Sequence, residues 1–140
     1  MRTHRFHKLW LKVTAIIIGS FGPIFFLGSM ISTSQPAALT LDVLSWPIDG
    51  IQNYQAASTR FLSALTGGFL IGWSVCIWYL QKEVYDKAPE GVRVSVISGL
   101  IAWFLLDSLG SIASYNISNV FINVLVLTIA VGPLWRKAIK

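Results

Sequence analysis

The sequence predicts an all-α fold, a four-transmembrane-helix bundle with an outer interfacial loop or short helix, and three observations carry that expectation. Four apolar runs, near 9–30, 61–80, 94–113 and 117–135, each approach the roughly 20 residues that cross ~30 Å of hydrocarbon as a helix. The chain is 54% hydrophobic and 12% charged, against about 25% charged residues in an ordinary soluble domain. Ten of its eleven Lys and Arg residues fall at ends of those runs that alternation of four spans places on one side. Nothing is left for a soluble domain, so 1–140 reads as a single integral membrane domain. The two halves share no motif at corresponding positions, which argues against an inverted-repeat transporter built from one chain.

The first span is opened by Arg2, Arg5, Lys8 and Lys12 and contains Gly19-Ser-Phe-Gly22-Pro23. Proline inside a helix removes one hydrogen bond and bends the axis, so a kink is expected near Ile18 to Gly22. A basic start followed by an apolar stretch also resembles a secretory signal, whose removal after about Ser29 would leave three spans. The run is longer than an ordinary signal core and no A-x-A site follows it, so the expectation is a retained span.

Residues 31–60 form the long outer connection. Pro36 followed by Leu39, Val43 and Trp46 at spacings of four and three predicts a short interfacial helix anchored by Trp46 and stopped by Pro47. Asp49-Gly50 then marks a turn.

In the second span, Ala64, Gly68, Gly72 and Cys76 recur every four residues and include a G-x-x-x-G. Small side chains let helix backbones approach, so Ala64, Gly68 and Gly72 are the expected helix-packing residues, against another span of this chain or in a homo-oligomer. Cys76, the single cysteine, excludes an intrachain disulfide and reads as a packing residue.

The 81–93 connection carries Lys82, Lys87 and Arg93, and Arg136, Lys137 and Lys140 follow the fourth span. The positive-inside rule therefore puts both termini and this connection in the cytoplasm, leaving Arg60 alone on the far side with Asp42 and Asp49. Trp10, Trp78, Tyr79 and Trp135 mark the inner interface, and Trp46, Tyr54 and Tyr115 the outer one.

The third span holds Asp107 inside an uninterrupted apolar run, Val94 to Ala113. An Asp at the centre of a spanning helix costs about 2.5 to 3.5 kcal/mol on insertion scales, so it calls for a partner, a water-filled cavity or a function. Arg60 enters from the same membrane face and has a stem long enough to reach inward. Ser111 shares a helix face with Asp107, and the fourth span offers Asn119 and Asn123 at i, i+4. The expectation is a polar cluster of Arg60, Asp107, Ser111, Asn119 and Asn123 in the outer leaflet, either an interhelical clamp or a proton, ion or ligand site.

Missing chemistry narrows the function. His4 and His7 lie in the basic N-terminal segment, so no transmembrane haem ligand pair exists, and no intramembrane lysine is placed for a Schiff base. There is no Cys/His cluster for a metal, no G-x-S-x-G and no glycine-rich phosphate loop. No cofactor and no catalytic residue is assigned. Net charge +5 arises at span ends rather than on a soluble face, which argues against nucleic acid as a partner. Asn116-Ile-Ser118 fits a glycosylation sequon but sits too tightly between spans. Trp73 and Trp103 read as core packing.

Thr59-Arg-Phe-Leu-Ser-Ala-Leu-Thr-Gly-Gly68, Leu106-Asp-Ser-Leu-Gly-Ser-Ile-Ala-Ser114 and Val131-Gly-Pro-Leu-Trp135 resemble segments of a family of small four-helix bacterial inner-membrane proteins with no established activity. That resemblance covers roughly 40–135. It implies four spans in a bacterial inner membrane, with Arg60 and Asp107 in the most distinctive segments. The functional expectation is a non-enzymatic membrane protein, an accessory subunit of a larger membrane assembly or a binder of a small apolar or lipid-like molecule in its outer half. The alternative is an oligomeric channel or transporter with Asp107 as its ion-coupling group. Expected partners are the lipid bilayer and either other membrane subunits or further copies of the chain.

Overall fold

A computed structural model describes residues 2–138, Arg2 by its backbone alone; Lys140, counted above among the basic flanks, lies outside the described residues. Five α-helices follow in order: α1 (Arg2–Leu27), α2 (Gln35–Ser45), α3 (Ala57–Tyr79), α4 (Pro89–Ala113) and α5 (Ile117–Val131). Short helical turns sit at Ile31–Thr33, Leu80–Val84 and Gly132–Leu134, and no strand is formed among the described residues. Four segments, Thr3–Leu27, Ala57–Val84, Pro89–Ala113 and Ile117–Leu134, are long and apolar enough to cross a membrane. The fold is therefore all-α with four spanning helices, and the chain is a multi-pass membrane protein.

Helix limits follow from local chemistry. Proline lies in the first turn of both α2 and α4, where its fixed φ suits the helix and its missing N–H leaves no bond unmade. α2 stops before Pro47, behind a cis Trp46–Pro47 bond. α1 continues through Pro23 as one helix. Inside the spans Thr66 bonds back to the Leu62 carbonyl and Thr128 to that of Val124, each on its own helix. Such bonds hide hydroxyls that hydrocarbon would not solvate.

The chain divides into two compact units, one of Ile16–Val75 and the other of Met1–Ala15 with Cys76–Lys140. Within Ile16–Val75, the second half of α1 packs antiparallel against α3 through glycine. A methyl group on Gly67 would lie 2.7 Å from the Gly22 carbonyl oxygen and 2.8 Å from the Phe26 nitrogen; one on Gly19 would meet Ser74 Oγ at 2.5 Å. Ser63 Oγ donates to the Phe25 carbonyl at 2.6 Å, one turn further along the same face. The α3 face that meets α1 is thus Ser63, Gly67, Ile71 and Ser74.

Within this unit α1 therefore packs on a different stripe of α3 from that of Ala64, Gly68 and Gly72. Cβ atoms on Gly68 and Gly72 would meet nothing within 4 Å, and Ala64 is only half-buried. The two stripes run side by side on α3, about 100° apart. The one that α1 uses starts one residue earlier, because Gly67 alone lets the Gly22 carbonyl come this close.

In the same unit α2 leaves Leu39 and Val43 exposed, with Trp46 exposed just past its end, and buries Ala37 and Asp42, an amphipathic arrangement suited to an interface. Asp42 Oδ2 accepts from the Gly50 N–H at 3.1 Å, where Gly50 has φ +71 and closes the turn.

In the unit containing residues from Cys76 on, α4 and α5 form an antiparallel hairpin across 114–116. The Asn116 N–H reaches the Ser111 carbonyl at 2.8 Å, and Tyr115 takes a positive φ of 61° at the tip. The first half of α1 belongs here too: Trp10 Nε1 donates to the Ala130 carbonyl at 3.1 Å, and the Lys12 ammonium stands over the Trp78 ring.

Candidate functional site

The short hairpin turn sets the register of α4 on α5, so that Asp107 and Ser108 face Asn123 and Ser111 faces Asn119. Asp107 Oδ2 accepts from Asn119 Nδ2 at 2.8 Å and from Asn123 Nδ2 at 2.5 Å. Each amide also reaches a hydroxyl: Asn119 Nδ2 to Ser111 Oγ at 2.8 Å, and Asn123 Nδ2 to Ser108 Oγ at 3.3 Å. Ser111 Oγ in turn donates to the Asp107 carbonyl at 2.8 Å. The two asparagines and two serines are buried, while Asp107 is partly so.

Four of the five residues expected in the polar cluster are joined by these bonds. Arg60 belongs elsewhere. Its Nη1 donates to the carbonyls of Tyr54 at 2.8 Å and Gln55 at 2.6 Å, tying the connection between α2 and α3 to the first turn of α3. The expected guanidinium–carboxylate pair is thus replaced on both sides: Arg60 satisfies carbonyls of its own unit, and Asp107 draws amides from α5. The physical reason is proximity, since carbonyls ahead of a helix lack intrahelical donors and lie within reach of a long side chain a few residues on. Among the described residues Asp107 has no cationic partner. Ser108, which sequence reading passed over, is signalled only by standing next to Asp107.

A second constellation gathers at the basic end of the same unit, in the basic N-terminal segment. α1 begins at Arg2, so His4, His7 and Lys8 are helical rather than loose. His4 Nε2 bonds Asp86 Oδ1 at 3.0 Å, Lys8 Nζ donates to Asp86 Oδ2, and the His4 ring stands 4.8 Å from that of Tyr85. Arg93 grips Glu90 with two nitrogens, Nε to Oε2 at 2.8 Å and Nη2 to Oε1 at 2.5 Å, and donates a third bond to the Leu134 carbonyl at 2.8 Å. The Ala138 N–H closes on Glu90 Oε2 at 2.9 Å. These contacts fasten the chain beyond α5 to the start of α4.

No family model, curated protein or solved structure matches the chain.

Beside this ion-pair platform lies a cleft of about 470 Å³ lined by Thr3, Phe6, His7, Gly132, Pro133 and Arg136. Phe6 and Pro133 supply apolar walls, whereas Thr3 and Arg136 carry donors. His7 is 1% exposed and Tyr85 fully buried, yet His7 Nδ1, His4 Nδ1 and the Tyr85 hydroxyl find no hydrogen-bond partner among the described residues. Burial pushes the Tyr85 phenol above its ordinary range, and the carboxylates of Asp86 and Glu90 push it the same way. Buried polar atoms without partners cost about 1–3 kcal/mol each, and His4, His7 and Tyr85 bring three of them together in this unit. No group of three or more His, Cys, Asp or Glu side chains that could hold a metal occurs among the described residues.

Proposed function

We propose that this chain is a non-enzymatic membrane protein that holds a lipid-like molecule, alone or as an accessory subunit of a larger assembly. The observation that carries the reading is the cleft at the start of α1. It combines an apolar wall, Phe6 and Pro133, with the Arg136 guanidinium and the Thr3 hydroxyl. Small-molecule sites are concave and mostly apolar with a few placed polar groups, and this cleft has that composition. The reading sets the molecule at the basic end rather than in the outer half. With positive-inside orientation in a bacterial inner membrane, that end is cytoplasmic, where anionic lipid headgroups meet clustered Lys and Arg.

The test is mass spectrometry of the protein released from native membranes in mild detergent, beside Phe6→Asp and Arg136→Gln variants. A bound mass of lipid size, retained by the wild type and lost from both variants, supports the reading. A protein that carries no such mass, or carries it equally in all three, refutes it. Unrelated membrane chains co-purifying in fixed ratio support the subunit form.

A second reading, an oligomeric channel or transporter coupled through Asp107, is favoured by the carboxylate's lack of a cationic partner. Ion flux into liposomes that Asp107→Asn abolishes supports it, and flux equal to that of empty liposomes refutes it.

A further inference from the structure

The Asp107 network is held together by neutral donors only. Two asparagine amides donate to one oxygen of the carboxylate, while Ser111 Oγ donates to the Asp107 backbone carbonyl and Ser108 Oγ accepts from Asn123, and none of these neutral groups cancels a formal charge. Full ionisation inside a span is expensive, and dipoles offset that cost in part. The remaining compensation has to be a positive charge. The basic side chains of this unit are engaged or exposed at its other end: Lys8 with Asp86, Arg93 with Glu90 and the Leu134 carbonyl, Lys82 beside Glu83.

Ligand chemistry is already assembled. Asp107 brings two carboxylate oxygens, Asn119 and Asn123 an amide oxygen each, and Ser108 and Ser111 a hydroxyl each. All are drawn from facing turns of α4 and α5, with donor–acceptor separations of 2.5 to 3.3 Å along the network. Turning either asparagine about its Cβ–Cγ bond exchanges its NH₂ for its oxygen, so the same side chains present donors to a bare carboxylate or oxygens to a cation. A hard, small ion prefers such an all-oxygen set, and the absence of imidazole and thiolate disfavours transition metals. One carboxylate supplies one negative charge, which matches a monovalent ion; calcium sites usually gather several carboxylates among about 6–8 oxygens.

We infer that Asp107, Asn119, Asn123, Ser108 and Ser111 form a binding site for one small alkali cation, with sodium as the species to test. The ion bridges α4 and α5, so binding tightens the hairpin. The site lies apart from the lipid cleft and shares only Asp107 with the transporter reading. It concerns binding, not movement: a protein that binds sodium and conducts none keeps this inference and loses that reading.

The experiment is thermal unfolding of the purified full chain in detergent at pH 7.5, at constant ionic strength, as choline chloride is exchanged for sodium chloride. A saturable rise in midpoint of about 3 °C is expected for the wild type, from binding to the folded state alone. Asp107→Asn removes that response. Should Asp107→Asn fail to fold, Ser108→Ala retains the carboxylate and both amides and raises the half-maximal sodium concentration severalfold. Identical melting in choline and sodium overturns the inference. A wild type stabilised by lower pH yet indifferent to sodium also overturns it, assigning the compensating charge to a proton.

Discussion

Gly67 of α3 is seated against the backbone of α1 so closely that a methyl group in place of its hydrogen would lie 2.7 Å from the Gly22 carbonyl oxygen. Neither wall of that contact is a flexible side-chain end, so the helices must separate to admit a larger residue. Gly67→Ala is expected to destabilise the protein by about 1–3 kcal/mol, the usual result of overpacking. Gly68→Ala and Gly72→Ala meet open space, and alanine is the better helix former, so they should be neutral or stabilising by up to about 1 kcal/mol. Unfolding of the three variants in the same detergent checks the contrast, and equal effects at positions 67 and 68 would place α1 on the other stripe.

The same pair shows where sequence reading reaches its limit. Four spans and α2 were legible because apolar length and the placement of Pro36 and Pro47 are properties of the chain itself. The Asp107–Asn119–Asn123–Ser111 contacts were legible too, since so short a turn leaves α4 and α5 almost one register. Choosing between two neighbouring stripes of α3 needs the partner's surface, and hydropathy does not encode it. Arg60 was misassigned because backbone carbonyls at a helix entrance leave no mark in the sequence. His4 and His7 were dismissed because a basic terminal segment has the same composition whether it is solvated or begins a helix.

Asn123 ties α5 to α4 through the shortest quoted bond of the Asp107 network, so Asn123→Leu should leave the carboxylate with Asn119 as its remaining amide donor. A loss of about 1–2 kcal/mol is expected, in line with polar contacts between membrane helices. Removing both charge and amide, in Asp107→Leu/Asn123→Leu, should recover much of that loss, because no buried charge is then left short of donors. A double-mutant cycle by reversible unfolding measures it. Strict additivity of the two substitutions would show that the residues are not coupled.

Arg60→Gln should loosen the connection ahead of α3 without disturbing the α4–α5 hairpin. Two charge-assisted bonds to the Tyr54 and Gln55 carbonyls disappear, each worth about 1.5–3 kcal/mol before the opening of a surface segment is discounted. Faster amide exchange and proteolysis at residues 51–58, with unchanged protection from 107 to 123, is the expected pattern. Since Arg60 and Asp107 share no hydrogen-bond partner, Arg60→Gln and Asp107→Asn should add within about 0.5 kcal/mol.

Asp86 makes the basic end of the protein sensitive to acid. Its carboxyl is held below its ordinary value of 3.8, first by the Lys8 hydrogen bond and then by that of His4. A carboxyl depressed in the folded state takes up its proton more readily once unfolded, so its contribution is complete above the ordinary value and fades as pH falls through the lower folded one. Asp86→Asn should therefore lower the midpoint of unfolding at pH 7, and the gap to wild type should close only in the acid range below pH 3.8. The side chain is exposed, so salt should shrink the effect, and melting at low and high ionic strength separates this charge contribution from packing. A gap that persists unchanged below that range would mean that the carboxylate does not hold Lys8 and His4 through charge. The start of α1 would then depend on burial of Leu11 and Ala15 for its place in this unit.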